Sequence, residues 1–222
     1  MKSFAVIGLG RFGQCMLEAL CERRRNVVVI DRDEQKIQRV RDLATTAVKA
    51  DALNFELLKE LLPDEVDCAV VDLGQVIGQS ILVTNYLQKL GVPHIVVEAV
   101  DAEHAEILRI VGATRVVFPE REAAERLAGM LAGGSVLDFF SVSEGFSMIE
   151  IPVPRKWVGK TTAQLLLRQK ASIEVVAVRR PASSASHENW SLADAHRPFE
   201  ASDIVLVAGN AENIDRLADG RG

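Results

Sequence analysis

Six residues, Gly8-Leu9-Gly10-Arg11-Phe12-Gly13, separate an apolar run, Phe4-Ala5-Val6-Ile7, from a helix-like stretch that ends near Arg23. Three glycines at this spacing between a strand and a helix suit a pyrophosphate. Gly8 makes the tight turn, Gly10 lets a phosphate approach the backbone, and Gly13 lets the helix pack closely on the strand. Unpaired N–H groups at the helix start then face the anion. A second apolar run, Asn26-Val27-Val28-Val29-Ile30, ends at Asp31, eighteen residues beyond Gly13. A carboxylate there accepts bonds from an adenosine ribose. Close packing alone is the plainer use of three glycines; the matching Asp31 favours nucleotide binding.

Other residues extend this reading. A cation at position 11 is unfavourable beside the positive end of a helix, which points to an anionic partner for Arg11 such as a phosphate; a solvated helix-start residue is the plainer account. Phe12 is expected to pack beneath the loop. Asp51, within Ala50-Asp51-Ala52, falls at the carboxyl end of the third strand, where ligands bind in open α/β sheets; a contact with adenine and a capping role both stay open. Gly74, after the fourth strand, is a residue that lets a backbone approach a cofactor.

The elements that must position these groups alternate without a break. Helix-like Glu34 to Leu43 precedes a short strand, Thr46 to Lys49, and Asn54 caps a helix that Pro63 closes. A strand from Cys68 to Asp72 leads through Leu73-Gly74 to a helix over about Ile77 to Lys89, and Gly91-Val92-Pro93 admits the strand His94 to Glu98. Ala102 to Val111 reads as a helix, Arg115 to Phe118 as a strand, and Pro119 opens a helix over Glu120 to Leu131. Nearly all-apolar strands alternating with helices describe an α/β, doubly wound parallel sheet covered on both faces. Gly133-Gly134-Ser135 then breaks the rhythm. Strand-like Val136 to Val142, Phe146 to Val153, Ile173 to Arg179 and Ile204 to Ala208, a turn and short helix over Trp157 to Arg168, and a helical tail from Ala211 make a small α+β lobe. Residues 1–133 are thus expected to bind nucleotide and residues 134–222 to form a second domain, with a mobile insert at Pro181 to Ser186.

Composition narrows the classes. A formal charge of −5 and a pI near 5.5 provide no basic face for nucleic acid or anionic lipid. Hydrophobic residues form 48% of the chain but occur in short runs, so a soluble, cytoplasmic protein is expected. Cys15, Cys21 and Cys68 lack zinc or dithiol spacing and read as small buried or half-buried apolar residues.

The stretch from Phe4 to Gly13 resembles the signature of the RCK family, the regulators of potassium conductance, and in particular the cytosolic KtrA/TrkA-type regulatory subunits. Arg and Phe between the glycines carry much of that likeness. It continues through Asp31, Ala50-Asp51-Ala52, Gly112-Ala113 and Pro119-Glu120-Arg121, and in the second lobe through Val158-Gly159-Lys160-Thr161 and Asp203 to Gly209, so it covers almost the whole chain. The resemblance implies an RCK N-terminal Rossmann-like domain followed by a TrkA-C-like domain, with ATP, ADP or NAD(H) bound as an effector and not consumed. It adds Arg32, Asp33, Ala52 and Glu98 to the candidate contacts. Asp33 alternatively belongs to the next helix cap. Glu98 is a departure, because the family generally carries lysine there, and an anion near the phosphates weakens a triphosphate. The resemblance also implies a homodimer built into an octameric ring on a KtrB- or TrkH-like membrane potassium subunit. Glu120 in such a dimer would hold Ca²⁺ or Mg²⁺ beside the neighbour's nucleotide; a carboxylate stabilising its own helix end is the alternative. Cyclic di-AMP is a family ligand of the second lobe, and Leu167 and Arg168 occupy comparable places.

Catalytic chemistry has little support in the sequence. Gly159-Lys160-Thr161 looks like the end of a phosphate-binding P-loop, but Pro154 stands where the first glycine is required. His94, His104, His187 and His196 lie near no obvious nucleophile or metal trio. A small NAD(P)-dependent oxidoreductase is the competing class, since fold alone does not decide function.

Overall fold

The computed structural model describes residues 2–62, 66–74, 76–132, 136–180 and 189–218. The expected helix stop at Pro63, the Gly133–Ser135 break, the Pro181–Ser186 insert and His187 lie outside the described residues. The chain divides into two compact units, Met1–Pro119 and Glu120–Gly222.

The first unit alternates β1 (Ser3–Ile7), α1 (Arg11–Glu22), β2 (Asn26–Asp31), α2 (Glu34–Val40), β3 (Thr46–Lys49), α3 (Phe55–Leu61), β4 (Cys68–Val71), α4 (Ile77–Lys89), β5 (His94–Glu98), α5 (Ala102–Ile110) and β6 (Arg115–Val117). Its sheet has the order β3-β2-β1-β4-β5-β6, and every pairing is parallel. Parallel strands covered on both faces should read as continuous apolar runs. Val27, Val29 and Val70 accordingly face one apolar cluster, while Val28, Ile30 and Val71 face the other. The chain order reverses between β1 and β4, opening a crevice at the carboxyl ends of the central strands. Two backbone bonds extend the ladders past the strand ends there, from Gly8 N to the Ile30 carbonyl at 2.8 Å and from Asp72 N to the Ile7 carbonyl at 2.9 Å.

The second unit holds α6 (Pro119–Ala132, apart from its first residue), β7 (Asp138–Ser143), β8 (Phe146–Pro152), α7 (Thr162–Leu165), α8 (Leu167–Ala171), β9 (Ile173–Arg180), β10 (Asn189–Leu192), β11 (Ile204–Asn210) and α9 (Ala211–Ala218). Its antiparallel sheet runs β10-β9-β11-β8-β7. Ile149, Ile151, Val205 and Val207 face a core closed by Trp157 and by Ile214 of α9. The single turn and short helix expected over Trp157 to Arg168 is a 3-10 turn (Arg155–Trp157) followed by α7 and α8. Leu166, in the left-handed region at φ 53°, separates the two helices. Strand β10 was not expected from sequence: it is a short edge strand whose Trp190 and Leu192 are exposed, so no inward-outward alternation marks it.

Two local readings also change. Cys15 is exposed, whereas Cys21 and Cys68 are half-buried, and burial pushes both of the latter thiols up from their ordinary range. His104 is almost wholly buried. Its Nδ1 accepts from the Val100 N–H at 3.2 Å, so the Nε2–H faces the Ser80 hydroxyl at 2.8 Å, and that hydroxyl donates to the Ile77 carbonyl at 2.8 Å. The imidazole is a structural tie between α4 and α5, not a free base.

Candidate functional site

The loop after β1 is built around glycines that admit no side chain. Gly8 has φ +90°, and a Cβ there would stand 1.8 Å from the Asp72 carbonyl oxygen. A Cβ on Gly10 would meet the Asp72 carboxylate oxygens at 2.2 and 2.3 Å, and one on Gly13 would stand 2.3 Å from the Gly8 carbonyl oxygen. The close approach of loop, α1 and β4 therefore depends on all three. Gly10 is the N-cap of α1 and offers no side-chain bond, and the first turn of α1 carries no acidic residue. The helix start thus presents amide groups and a positive dipole end to the crevice.

Asp31 ends β2 beside this loop and is 9% exposed. Its Oδ2 accepts from the Leu9 N–H at 2.6 Å and its Oδ1 from the Asp33 N–H at 2.8 Å. A carboxylate has about four lone-pair sites, so acceptor capacity remains for hydroxyls of a ligand. The sequence spacing predicts a ribose contact for Asp31; the fold shows that it ties the glycine loop to β2.

A cleft of about 150 Å³ lies over these carboxyl ends. Of the residues singled out from sequence, Gly8, Gly10, Asp31, Arg32, Asp51, Ala52 and Gly74 line it. Asp51 Oδ1 also accepts from the Leu53 N–H at 3.0 Å, and Asn54 caps α3. Gly74 takes φ +66° and donates its N–H to Asp72 Oδ1 at 3.3 Å. Arg11, exposed at the start of α1, is not among the lining residues. Phe12 packs against the apolar cluster on one side of the sheet, as its type suggested. Gly13 acts through packing. Asp33 is the N-cap of α2, accepting from the Gln35 and Lys36 N–H groups at 2.8 and 3.4 Å. Glu98 is the half-buried last residue of β5 and does not line the cleft.

Lys36, Asp72 and Gln79 also line the cleft and were not recognised from sequence. Lys36 reads as an ordinary surface position of an amphipathic helix, and Asp72 as a strand terminator. The apolar run that ends at Asp72 was the available signal, since carboxyl ends of central strands carry ligand contacts.

Glu120 stands exposed in the first turn of α6 together with Glu122. Among the described residues no three His, Cys, Asp or Glu side chains gather as a metal ion would need. No helix among them is long and apolar enough to cross a membrane.

Residues 4–119 match the TrkA-N domain model, and residues 146–219 match the TrkA-C domain model. The chain belongs to the RCK family of KtrA/TrkA-type regulatory subunits. It is 36% identical to the Ktr system potassium uptake protein C of Bacillus subtilis (strain 168), over 97% of this chain and 96% of that protein. With the Ktr system potassium uptake protein A of Vibrio alginolyticus it shares 29% identity, over 96% of this chain and 94% of the relative. Among solved structures, the GsuK RCK domain superposes with a TM-score of 0.64 at 17% identity, covering 98% of this chain and 47% of the other. The GsuK channel bound to NAD gives a TM-score of 0.64 at 16% identity, covering 98% and 39%. The RCK chain thus spans about half or less of the GsuK chains it resembles, and at these identities the likeness speaks for the fold.

Proposed function

We propose that this RCK protein is a nucleotide-sensing regulatory subunit of a potassium uptake system, in which the first domain, residues 1–133, binds an adenine nucleotide as effector and residues 134–222 form the RCK C-terminal domain. The observation that carries the reading is the cleft at the β1–β4 switch point. Glycines that tolerate no Cβ, amide groups at the start of α1 and the Asp31 carboxylate converge there. The Ktr relatives support the transport context, and NAD in the GsuK channel supports an adenine ligand. ATP, ADP and NAD(H) are the candidate effectors. They act by binding two states unequally, because a ligand with equal affinity for both shifts nothing.

The protein is not an enzyme in this reading. The nucleotide is retained, and His104 is engaged with Ser80 and Val100. It works in the cytoplasm as a homodimer within an octameric ring that docks on a membrane potassium subunit. Glu120 binds Ca²⁺ or Mg²⁺ across the dimer, and the second domain is the place for cyclic di-AMP near Leu167 and Arg168. Arg168 pairs there with Glu174 at 2.8 Å.

Calorimetric titration of the purified chain with ATP, ADP and NAD(H) tests the central claim. Asp31→Ala should lower affinity at least tenfold. Because Asp31 also holds Leu9 and Asp33, thermal unfolding of the variant is measured alongside, and undiminished affinity in a folded variant would refute the ribose assignment. Consumption of NAD(P)H by the wild type would instead favour an oxidoreductase.

A further inference from the structure

A cleft that takes phosphates has no need of a fixed anion, yet Asp72 puts one there. The residue follows β4, is 3% exposed and lines the same cleft. Its Oδ2 accepts from the Gly13 N–H in the first turn of α1 at 2.8 Å, and its Oδ1 accepts from the Gly74 N–H at 3.3 Å. The separations of 2.2 and 2.3 Å from a notional Gly10 Cβ press its oxygens against the glycine that must admit a pyrophosphate. α1 has neither a side-chain cap nor an acidic residue of its own in its first turn. A carboxylate from a different strand therefore supplies the anion that a helix start ordinarily takes from its own sequence. Two consequences follow. A backbone donor near the phosphate position is already occupied, and a negative charge with little access to screening water faces whatever binds. The lining of the cleft carries three carboxylates, Asp31, Asp51 and Asp72, against two cations, Arg32 and Lys36.

We propose that Asp72 is the charge-selecting residue of this cleft, favouring adenine dinucleotides over mononucleotides that end in a free phosphate. A terminal phosphate group, bonded on one side only, carries about −1.5 to −2 charges at neutral pH, whereas each phosphate of a dinucleotide is bonded on two sides, by one ester and one anhydride, and keeps one ionisable oxygen. Every added phosphate charge meets the Asp72 carboxylate, while the ribose and adenine contacts are the same for both classes. This inference rests on the nucleotide-binding reading above and specifies its ligand class.

The test is calorimetry on the full chain with NAD⁺, ADP and ATP in EDTA, so that no divalent cation masks the charge, for wild type, Asp72→Asn and Asp72→Ala. Asn removes the charge and keeps an oxygen for the Gly13 N–H, while its NH2 group replaces the acceptor of the longer Gly74 contact at 3.3 Å. Wild type should bind NAD⁺ more tightly than ATP. Asp72→Asn should raise ATP affinity about tenfold more than NAD⁺ affinity, a change of about 1.4 kcal/mol, with ADP between them. An ATP-to-NAD⁺ ratio unchanged in the variants, or a wild type that prefers ATP, would overturn charge selection and leave Asp72 as a helix cap. Absence of binding by wild type for all three would overturn the nucleotide reading with it. Thermal melts identify a variant that fails to fold. For that case the wild type is titrated with ADP-ribose, whose pyrophosphate has no terminal phosphate: it should bind more tightly than ADP, and equal or weaker binding counts against the proposal.

Discussion

The two sheets of this protein handle charge in opposite ways. In the parallel sheet of the first unit, the central strands are nearly all apolar and the two buried carboxylates share the carboxyl rim, Asp31 as the last residue of β2 and Asp72 just after β4. In the antiparallel sheet of the second unit, charge crosses the strands themselves. Arg179 of β9 pairs with Glu150 of β8 across β11, and its guanidinium lies 5.4 Å from the centre of the Trp190 ring. Arg180 stands 3.2 Å from Asp203, which is 1% exposed. Parallel strands all point the same way, so their carboxyl ends and the following helix starts share one rim. Antiparallel strands spread their ends over two rims and leave side chains on a sheet face to pair with one another. A ligand cleft is therefore a natural product of the first arrangement, and cross-strand ion pairs of the second.

Glycine substitutions provide the sharpest way to break that comparison. Gly8→Ala places a methyl group 1.8 Å from a backbone oxygen at a positive φ. It should cost about 4 kcal/mol or more, seen in urea unfolding as loss of the first unit's transition together with nucleotide binding. Gly145, in the β7–β8 hairpin, also has a positive φ, of 76°, but nothing lies within 4 Å of its notional Cβ. Gly145→Ala should cost only about 1 kcal/mol, the penalty of the left-handed region itself. Equal losses at the two glycines would erase the distinction between a closed ligand loop and an open hairpin.

A smaller effect is expected at the buried charge of the second sheet. The Arg180–Asp203 contact is close but not aligned as a hydrogen bond, and the other Asp203 oxygen accepts from the Glu200 N–H at 2.9 Å. Asp203→Asn leaves Arg180 without its counter-ion. Breaking a fully buried pair costs about 3–5 kcal/mol; the Arg180 side chain is 23% exposed, so about 2 kcal/mol is expected by chemical denaturation. By contrast Arg168→Ala, which removes a highly exposed pair with Glu174, should change stability by less than about 0.5 kcal/mol in the same assay.

His104 gives the first unit a pH dependence. Burial holds its pKa below the ordinary value of 6.5, partly opposed by Asp101. Below that pH the unfolded chain takes up a proton that the folded chain refuses, so stability is full above about 6.5 and declines as pH falls toward the folded pKa. Unfolding of wild type at pH 7.5 and 5.5 should show the decline, and His104→Gln should flatten it. A decline of equal size in the variant would assign it to other groups.

Much of the fold was legible in the residues. The alternation of apolar runs with amphipathic stretches specified the order of the first unit's elements, because strands buried on both faces need uninterrupted Val, Ile and Ala. The cap at Asn54 and the helix start at Pro119 were likewise local. The glycine spacing and Asp31 located the cleft, since only glycine permits the approach that Gly8 and Gly10 make. What the sequence could not contain was the meeting of Gly13 with Asp72, 59 positions away. A carboxylate at the end of a strand looks the same whether it faces water or a helix start, and only the pairing of β4 beside β1 decides which. The edge strand at Asn189–Leu192 escaped for a related reason: backbone bonds to β9 hold it in place, and its exposed side chains carry no record of them. Periodicity registers what side chains bury, whereas tertiary structure decides which distant backbone and charged groups come within bonding distance.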